Sequence, residues 1–184
     1  MEAVRFIKFA AARVDTDAGA GVYFSSAAPS SISRTQFVGN RTVNSSEAGA
    51  VSLFDTQLRI SRSTFAGNSA QREGGAIVAQ ASELRIEDST ISGNRALAGG
   101  GGIYLFDGQT TVVNTTITRN RTTEDGGGIV VHGVGELTLN AVTIARNLAN
   151  TDDNPLSEGG GGLSNDTAAS LTVQNSILAL NRLG

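Results

Sequence analysis

The sequence predicts an all-β fold, a right-handed parallel β-helix of about six to seven rungs, each of ~26 residues and holding three short strands. Three recurring blocks predict it. The block FxGN and its variants occupies residues 37–40 (FVGN), 65–68 (FAGN), 91–94 (ISGN), 117–120 (ITRN), 144–147 (IARN) and 178–181 (LALN), with Asn-to-Asn steps of 28, 26, 26, 27 and 34 residues. A small-residue block follows at 48–51 (AGAV), 74–77 (GGAI), 100–103 (GGGI), 126–129 (GGGI) and 160–163 (GGGL). The third block alternates apolar and polar, as in Leu58-Arg59-Ile60, Leu84-Arg85-Ile86, Leu137-Thr138-Leu139 and Leu171-Thr172-Val173. A weaker copy opens the chain, with Phe9, Ala12 and residues 19–22 (GAGV) in the matching columns.

Each block becomes one side of a rung. The glycines mark a sharp turn, and the apolar residue closing that block starts the first strand. The alternating block has the period of two expected of a half-buried strand, and the FxGN block is the third strand, ending on its Asn. Helical repeats need 33 or more residues with helical periodicity, so this period excludes them. Identical strands of successive turns then pair in register at ~4.8 Å, with the right-handed crossovers that parallel strands adopt. Leu58, Ile60, Phe65 and Ile77, with Leu84, Ile86, Ile91, Ile103, Ile117, Ile129, Leu137, Leu139, Ile144, Leu163, Leu171 and Val173, point inward. Asn40, Asn68, Asn94, Asn120, Asn147 and Asn181 sit at a tight bend, where Asn tolerates left-handed backbone and its amide can bond the next rung. They form a structural ladder.

The 184 residues read as a single domain, and both termini fall inside a repeat, which suggests an excerpt of a longer chain or ends covered by another copy. One departure from the period, at 148–158, inserts about seven residues as a loop. A net charge of −3 gives no footprint for nucleic acid, and no apolar run is long enough for a transmembrane helix. The absence of cysteine excludes disulfides and thiolate metal sites.

The blocks "GGAI", "FAGN" and "FVGN" resemble the GGA[ILV] and FxxN repeats of polymorphic outer-membrane autotransporter adhesins. The wider pattern "TISGNRALAGGGGIYL" and "LTVQNSILALN" is more similar to the tandem repeats of secreted bacterial right-handed β-helix proteins, including those with a CSLREA domain. The resemblance covers about residues 6–181. It implies an extracellular or cell-surface bacterial location, and an adhesive role toward glycans or host surfaces. The motifs that carry it are the scaffold, so they imply fold more than activity.

Parallel β-helices also include polysaccharide lyases and hydrolases, so the polar residues need testing as a site. An acidic column precedes the glycines: Asp17, Glu47, Glu73, Asp125 and Glu158, broken at Ala98. Arg13, Arg41, Arg95 and Arg121 follow the Asn column in the same loop. The acidic residues are either exposed loop charges partly neutralised by those arginines or a calcium site; no other cofactor is expected. Just before Asn, Gly39, Gly67 and Gly93 give way to Arg119 and Arg146, one rung apart and outward, a geometry suited to clamping a carboxylate or sulfate. The inserted loop adds Asp152 and Asp153 as candidate ligand contacts, and the sole histidine, His132, is the candidate base of a lyase. Tyr23 and Tyr104 stand three rungs apart and make no stacking platform. The leading expectation is a secreted or cell-surface structural and adhesive module without catalysis, able to bind glycans or to associate head to tail. The alternative is a polysaccharide lyase or hydrolase.

Overall fold

The computed structural model describes residues 21–25, 28–43, 47–152, 159–165 and 168–184. Within them the chain is all-β and winds as a parallel solenoid. The first sheet runs from Val22–Ser25 to Leu163–Asn165, the second from Ser30–Ser33 to Ser170–Gln174, and the third from Gln36–Val38 to Ile177–Ala179. Each has six strands, every one parallel to its neighbours, so five full turns separate first from last. The expected six to seven rungs counted the opening copy, of which Gly21 and Val22 alone lie among the described residues.

A fourth, narrower sheet was not expected. Two-residue strands follow the Asn at Arg95–Ala96, Arg121–Thr122, Leu148–Ala149 and Arg182–Leu183, and bridges through Ser69 carry the ladder back to Arg41. Two residues make no periodic signal.

Register is in step throughout. Leu58 pairs with Leu84, Thr110, Leu137 and Leu171 in successive rungs, and Phe65 lies between Phe37 and Ile91. The inward columns are buried, and Phe37 stacks on Phe65 with ring centroids 4.8 Å apart and planes 7° from parallel. Stacking of like on like keeps the core close-packed with small side chains and few aromatics. The last rung differs: Leu171, Val173, Ile177 and Leu178 are 37%, 41%, 60% and 47% exposed, because no described rung covers them.

Each of the three corners turns on a residue with positive φ. The second corner uses Arg34, Arg62, Asp88, Asn114, Ala141 and Asn175, and the third uses Gly39, Gly67, Gly93, Arg119, Arg146 and Leu180. The left-handed residue of the third corner is therefore the one before the Asn, correcting the expectation that Asn takes that geometry itself. The Asn is needed for its amide. Asn68 Nδ2 donates to Asn94 Oδ1 (3.0 Å) and to the Phe37 carbonyl (2.9 Å), while its backbone N–H donates to the same Asn94 Oδ1 (2.8 Å). The pattern repeats through Asn120, Asn147 and Asn181, so the amides satisfy backbone groups that the corner takes out of the sheets.

A second, hydroxyl ladder runs along the second corner. Ser63 Oγ accepts the Thr35 N–H, Ser89 Oγ the Ser63 N–H, and Thr115 Oγ1 the Ser89 N–H, each hydroxyl donating to the carbonyl two residues earlier. Val142 interrupts it, and Ser176 then accepts the Val142 N–H.

The glycine block has a steric cause. A Cβ on Gly49, Gly75, Gly101 or Gly127 would stand 2.1–2.4 Å from the carbonyl oxygen of the equivalent glycine one rung on. Glycine fills this central column at Gly49, Gly75, Gly101, Gly127 and Gly161, whereas the next column accepts Ala50 and Ala76. Gly99 has φ of 108°, which only glycine adopts easily, and its N–H donates to Thr122 Oγ1 (3.0 Å).

Two stability predictions follow from these columns. Asn94→Ala orphans the Asn68 amide groups and the Phe65 carbonyl in a buried place, and is expected to lower unfolding free energy by ~3 kcal/mol in urea denaturation. Gly101→Ala should cost ~3 kcal/mol by overpacking against backbone, whereas Gly67→Ala, whose Cβ meets nothing within 4 Å, should cost only the ~1 kcal/mol of left-handed strain. Equal losses for the two glycines would refute the steric account.

Candidate functional site

Charges sort onto different faces of the solenoid. Arg59 and Arg85, outward on the second sheet, both contact Glu87, with Arg59 at 2.6 Å, and Arg62 lies 3.9 Å from Asp88. The Glu87 carboxyl is held below its usual range, first by the Arg59 hydrogen bond and then by Arg85, against the opposing effect of burial.

A second group gathers where the loop after the Asn turns back over the first sheet. Arg72 lies 3.6 Å from Glu47 and 3.3 Å from Glu73, and Gln80 Nε2 donates to Glu47 Oε2 (2.9 Å). The Tyr104 phenol is pushed up to about 12, chiefly by burial and then by the charges of Glu73 and Glu47. The Glu124 carboxyl is also raised, by burial first and then by Asp125, Glu73 and Asp152. Backbone bonds from Ala48 to Glu73, Gly74 to Gly99 and Gly100 to Asp125 place Glu47, Glu73, Gly99, Asp125 and Gly159 in one column. The break in the acidic column is thus Gly99 and not Ala98, and Gly159 takes the place expected for Glu158. Asp17, Asp153 and Glu158 lie outside the described residues. Among the described residues no three His, Asp or Glu side chains converge as a metal-holding group.

The third face is the Asn corner. Arg119 and Arg146 are exposed on adjacent rungs, as the Thr118–Ala145 pairing requires. The short fourth sheet sets a second row beside them: Arg41, Ser69, Arg95, Arg121, Leu148 and Arg182. Arg41, Arg95 and Arg121 do not neutralise the acidic column, contrary to expectation; Arg72 does. A groove of about 370 Å³ lies between Gly67 and Gly93 on one side and Gln71 and Leu97 on the other, with Arg41, Arg95 and Arg121 along it. It has a counterpart of about 320 Å³ between Arg146 and Arg182. The sequence places Arg41, Arg95 and Arg121 in one column after the Asn, as the structure does; its continuation to Arg182 is the part the sequence hides, because Leu148 interrupts it.

These groups do not meet. His132 ends a strand of the first sheet with its ring 5.5 Å from that of Tyr104, away from the corner that carries Arg119 and Arg146. Asp152 acts on Glu124.

With the rungs and their faces described, comparison with known proteins settles the class. The model of the right-handed beta helix region matches residues 6–178. The chain belongs to that family. No curated protein matches it, and no solved structure does. On this right-handed β-helix the charge groups above occupy the outward face of the second sheet, the loop over the first sheet and the Asn corner. No helix among the described residues is long and apolar enough to cross a membrane.

The acidic group can be read by titration. In a Tyr23→Phe background the remaining tyrosine should ionise near 12 in ultraviolet absorbance, and Glu73→Gln should bring it down. A midpoint at the ordinary value of 10.0 would refute the burial and charge argument. Glu124 gives the matching stability test. Because folding raises its pKa above the ordinary 4.5, the folded state holds its proton to higher pH, so stability falls as pH rises from that ordinary value through the raised one. Glu124→Gln should raise Tm at pH 7 and flatten that slope; an unchanged Tm would contradict it.

Proposed function

We propose that the chain is a structural module of a secreted or cell-surface protein, a rod that holds corners and loops outward for adhesion and performs no chemistry. The observation that carries this reading is the separation of the candidate groups. A polysaccharide lyase needs a base beside groups that neutralise a uronate carboxylate, yet His132 packs on Tyr104 while Arg119 and Arg146 stand on another corner. The asparagines, the inward apolar residues and the corner hydroxyls are engaged in stacking, which leaves the module's surface for recognition. The repeats' resemblance to exported adhesive proteins supports the location and the role.

One observation favours a polysaccharide-cleaving enzyme instead. Glu124 is a carboxyl kept protonated to higher pH among Glu73, Asp125 and Asp152, the kind of environment that makes a general acid. One assay addresses both readings: purified protein is incubated with polygalacturonate, alginate, xylan and heparin, and released reducing ends and unsaturated uronates are measured. No release is expected. Turnover abolished by Glu124→Gln, or by Arg119→Ala with Arg146→Ala, would overturn the non-catalytic reading.

A further inference from the structure

Eleven of the thirteen arginines lie among the described residues, and their surroundings divide them. Arg59, Arg62, Arg72 and Arg85 each contact a carboxylate. Arg34 is on the second corner, one rung before Arg62, with no carboxylate within ion-pair distance among the described residues. The other six, Arg41, Arg95, Arg119, Arg121, Arg146 and Arg182, line the Asn corner, all are exposed, and none has a carboxylate within ion-pair distance among the described residues.

This arrangement is unfavourable as it stands. Arg95 and Arg121 are direct partners in a parallel ladder, and Arg119 and Arg146 occupy adjacent rungs, so like charges stack at the rung spacing of ~4.8 Å. Arg119 and Arg146 also hold positive φ, at 55° and 58°, where the preceding rungs have glycine. The floor beneath them is the Asn ladder, whose amides are already committed to one another and to backbone carbonyls. The charged groups that a ligand would meet here are guanidiniums, with Ser69 and Gln71 beside them, and guanidiniums present paired N–H donors suited to carboxylate or sulfate oxygens.

We propose that the Asn corner is a binding groove for a linear acidic polysaccharide, lying along the rod axis with its carboxylates or sulfates against Arg41, Arg95, Arg119, Arg121, Arg146 and Arg182. The two parts of the groove, one holding Arg41, Arg95 and Arg121 and the other Arg146 and Arg182, follow a single backbone ladder of five rung steps, or ~24 Å, which suits an extended polymer rather than a single small anion. Nucleic acid fits less well. No aromatic side chain lines either part of the groove, so bases have nothing to stack on, and the rest of the surface is acidic enough to leave the chain at −3 overall. The proposal rests on the non-catalytic reading only in treating the polymer as held and not cleaved.

The test is titration of the full chain with polygalacturonate, heparin, neutral dextran and single-stranded DNA by calorimetry at low and high salt, with polymer length measured afterwards. One or both acidic polysaccharides should bind, more weakly as salt rises, with dextran silent. A polygalacturonate response identifies carboxylate as a sufficient anion, and a heparin response adds sulfate. The combined variant Arg95→Gln, Arg119→Gln, Arg121→Gln and Arg146→Gln should weaken binding at least tenfold, whereas Arg59→Gln with Arg85→Gln should leave it unchanged. Because the combined variant removes stacked repulsion, its Tm at low salt should be no lower than that of the parent, which guards against misfolding as the cause. Binding of neither acidic polymer, binding unaffected by the combined variant, or tighter binding of DNA would overturn the groove. Shortening of a polymer held through these arginines would support the groove and sink the non-catalytic reading.

Discussion

Everything in this molecule depends on in-register stacking of one rung on the next. A residue's nearest neighbour across the sheet is the residue in its own column one turn away, as Ile103 is to Ile77 and Ile129. Each column must therefore be compatible with itself at ~4.8 Å. Apolar side chains meet that demand by burial, Phe37 and Phe65 by ring stacking, and Asn by donating and accepting amide bonds in the same direction. A buried column that could not satisfy itself would leave polar groups unpaired at every turn. The Asn and hydroxyl ladders lie where the corners remove backbone groups from the sheets.

Charge is the property that self-stacking handles worst. Identical charges in one column repel, and the described structure answers this in two ways. Arg59 and Arg85 share the Glu87 carboxylate, and Arg72 bridges Glu47 and Glu73. In the acidic column Gly99 separates Glu73 from Asp125, and the Tyr104 and Glu124 groups nearby are raised first by burial and then by the acidic charges around them. At the Asn corner neither remedy is used beyond the spacing given by Ser69 and Leu148. That contrast makes the arginine rows the surface whose charge calls for an outside partner.

The fold was legible because the core columns repeat: the FxGN, GGxI and LxI blocks located the three wide sheets and the Asn ladder, while the narrow fourth sheet left no signal. The hydroxyl ladder was equally present in the sequence, two residues ahead of each third-sheet apolar residue, at Thr35, Ser63, Ser89 and Thr115. It went unread because serine and threonine are common in turns and solvent-facing strands alike. The site was less legible, since charge relationships cross rungs with different insertions. Arg72 lies outside every block, yet it is Arg72 that bridges Glu47 and Glu73. One extra glycine shifts the acidic column: counting back from the glycine run lands on Ala98, whereas the backbone bonds place Gly99 there.

The third corner explains how such a scaffold acquires a surface role without disturbing its core. The residue before each ladder Asn is left-handed, and a Cβ at Gly39 or Gly67 would meet nothing within 4 Å. A side chain there incurs backbone strain of ~1 kcal/mol and no clash. By contrast, the middle glycine of the next block faces the carbonyl of the following rung, and no side chain fits. Substitution is therefore cheap at one corner column and prohibitive a few residues later in the same turn. Arg119, Arg146 and Leu180 occupy the cheap column, where variation changes the exposed chemistry while the ladder beneath keeps its bonds. A guanidinium on each of two neighbouring rungs is a change of charge that the fold tolerates without needing it, which is why its cause is best sought in what the corner contacts.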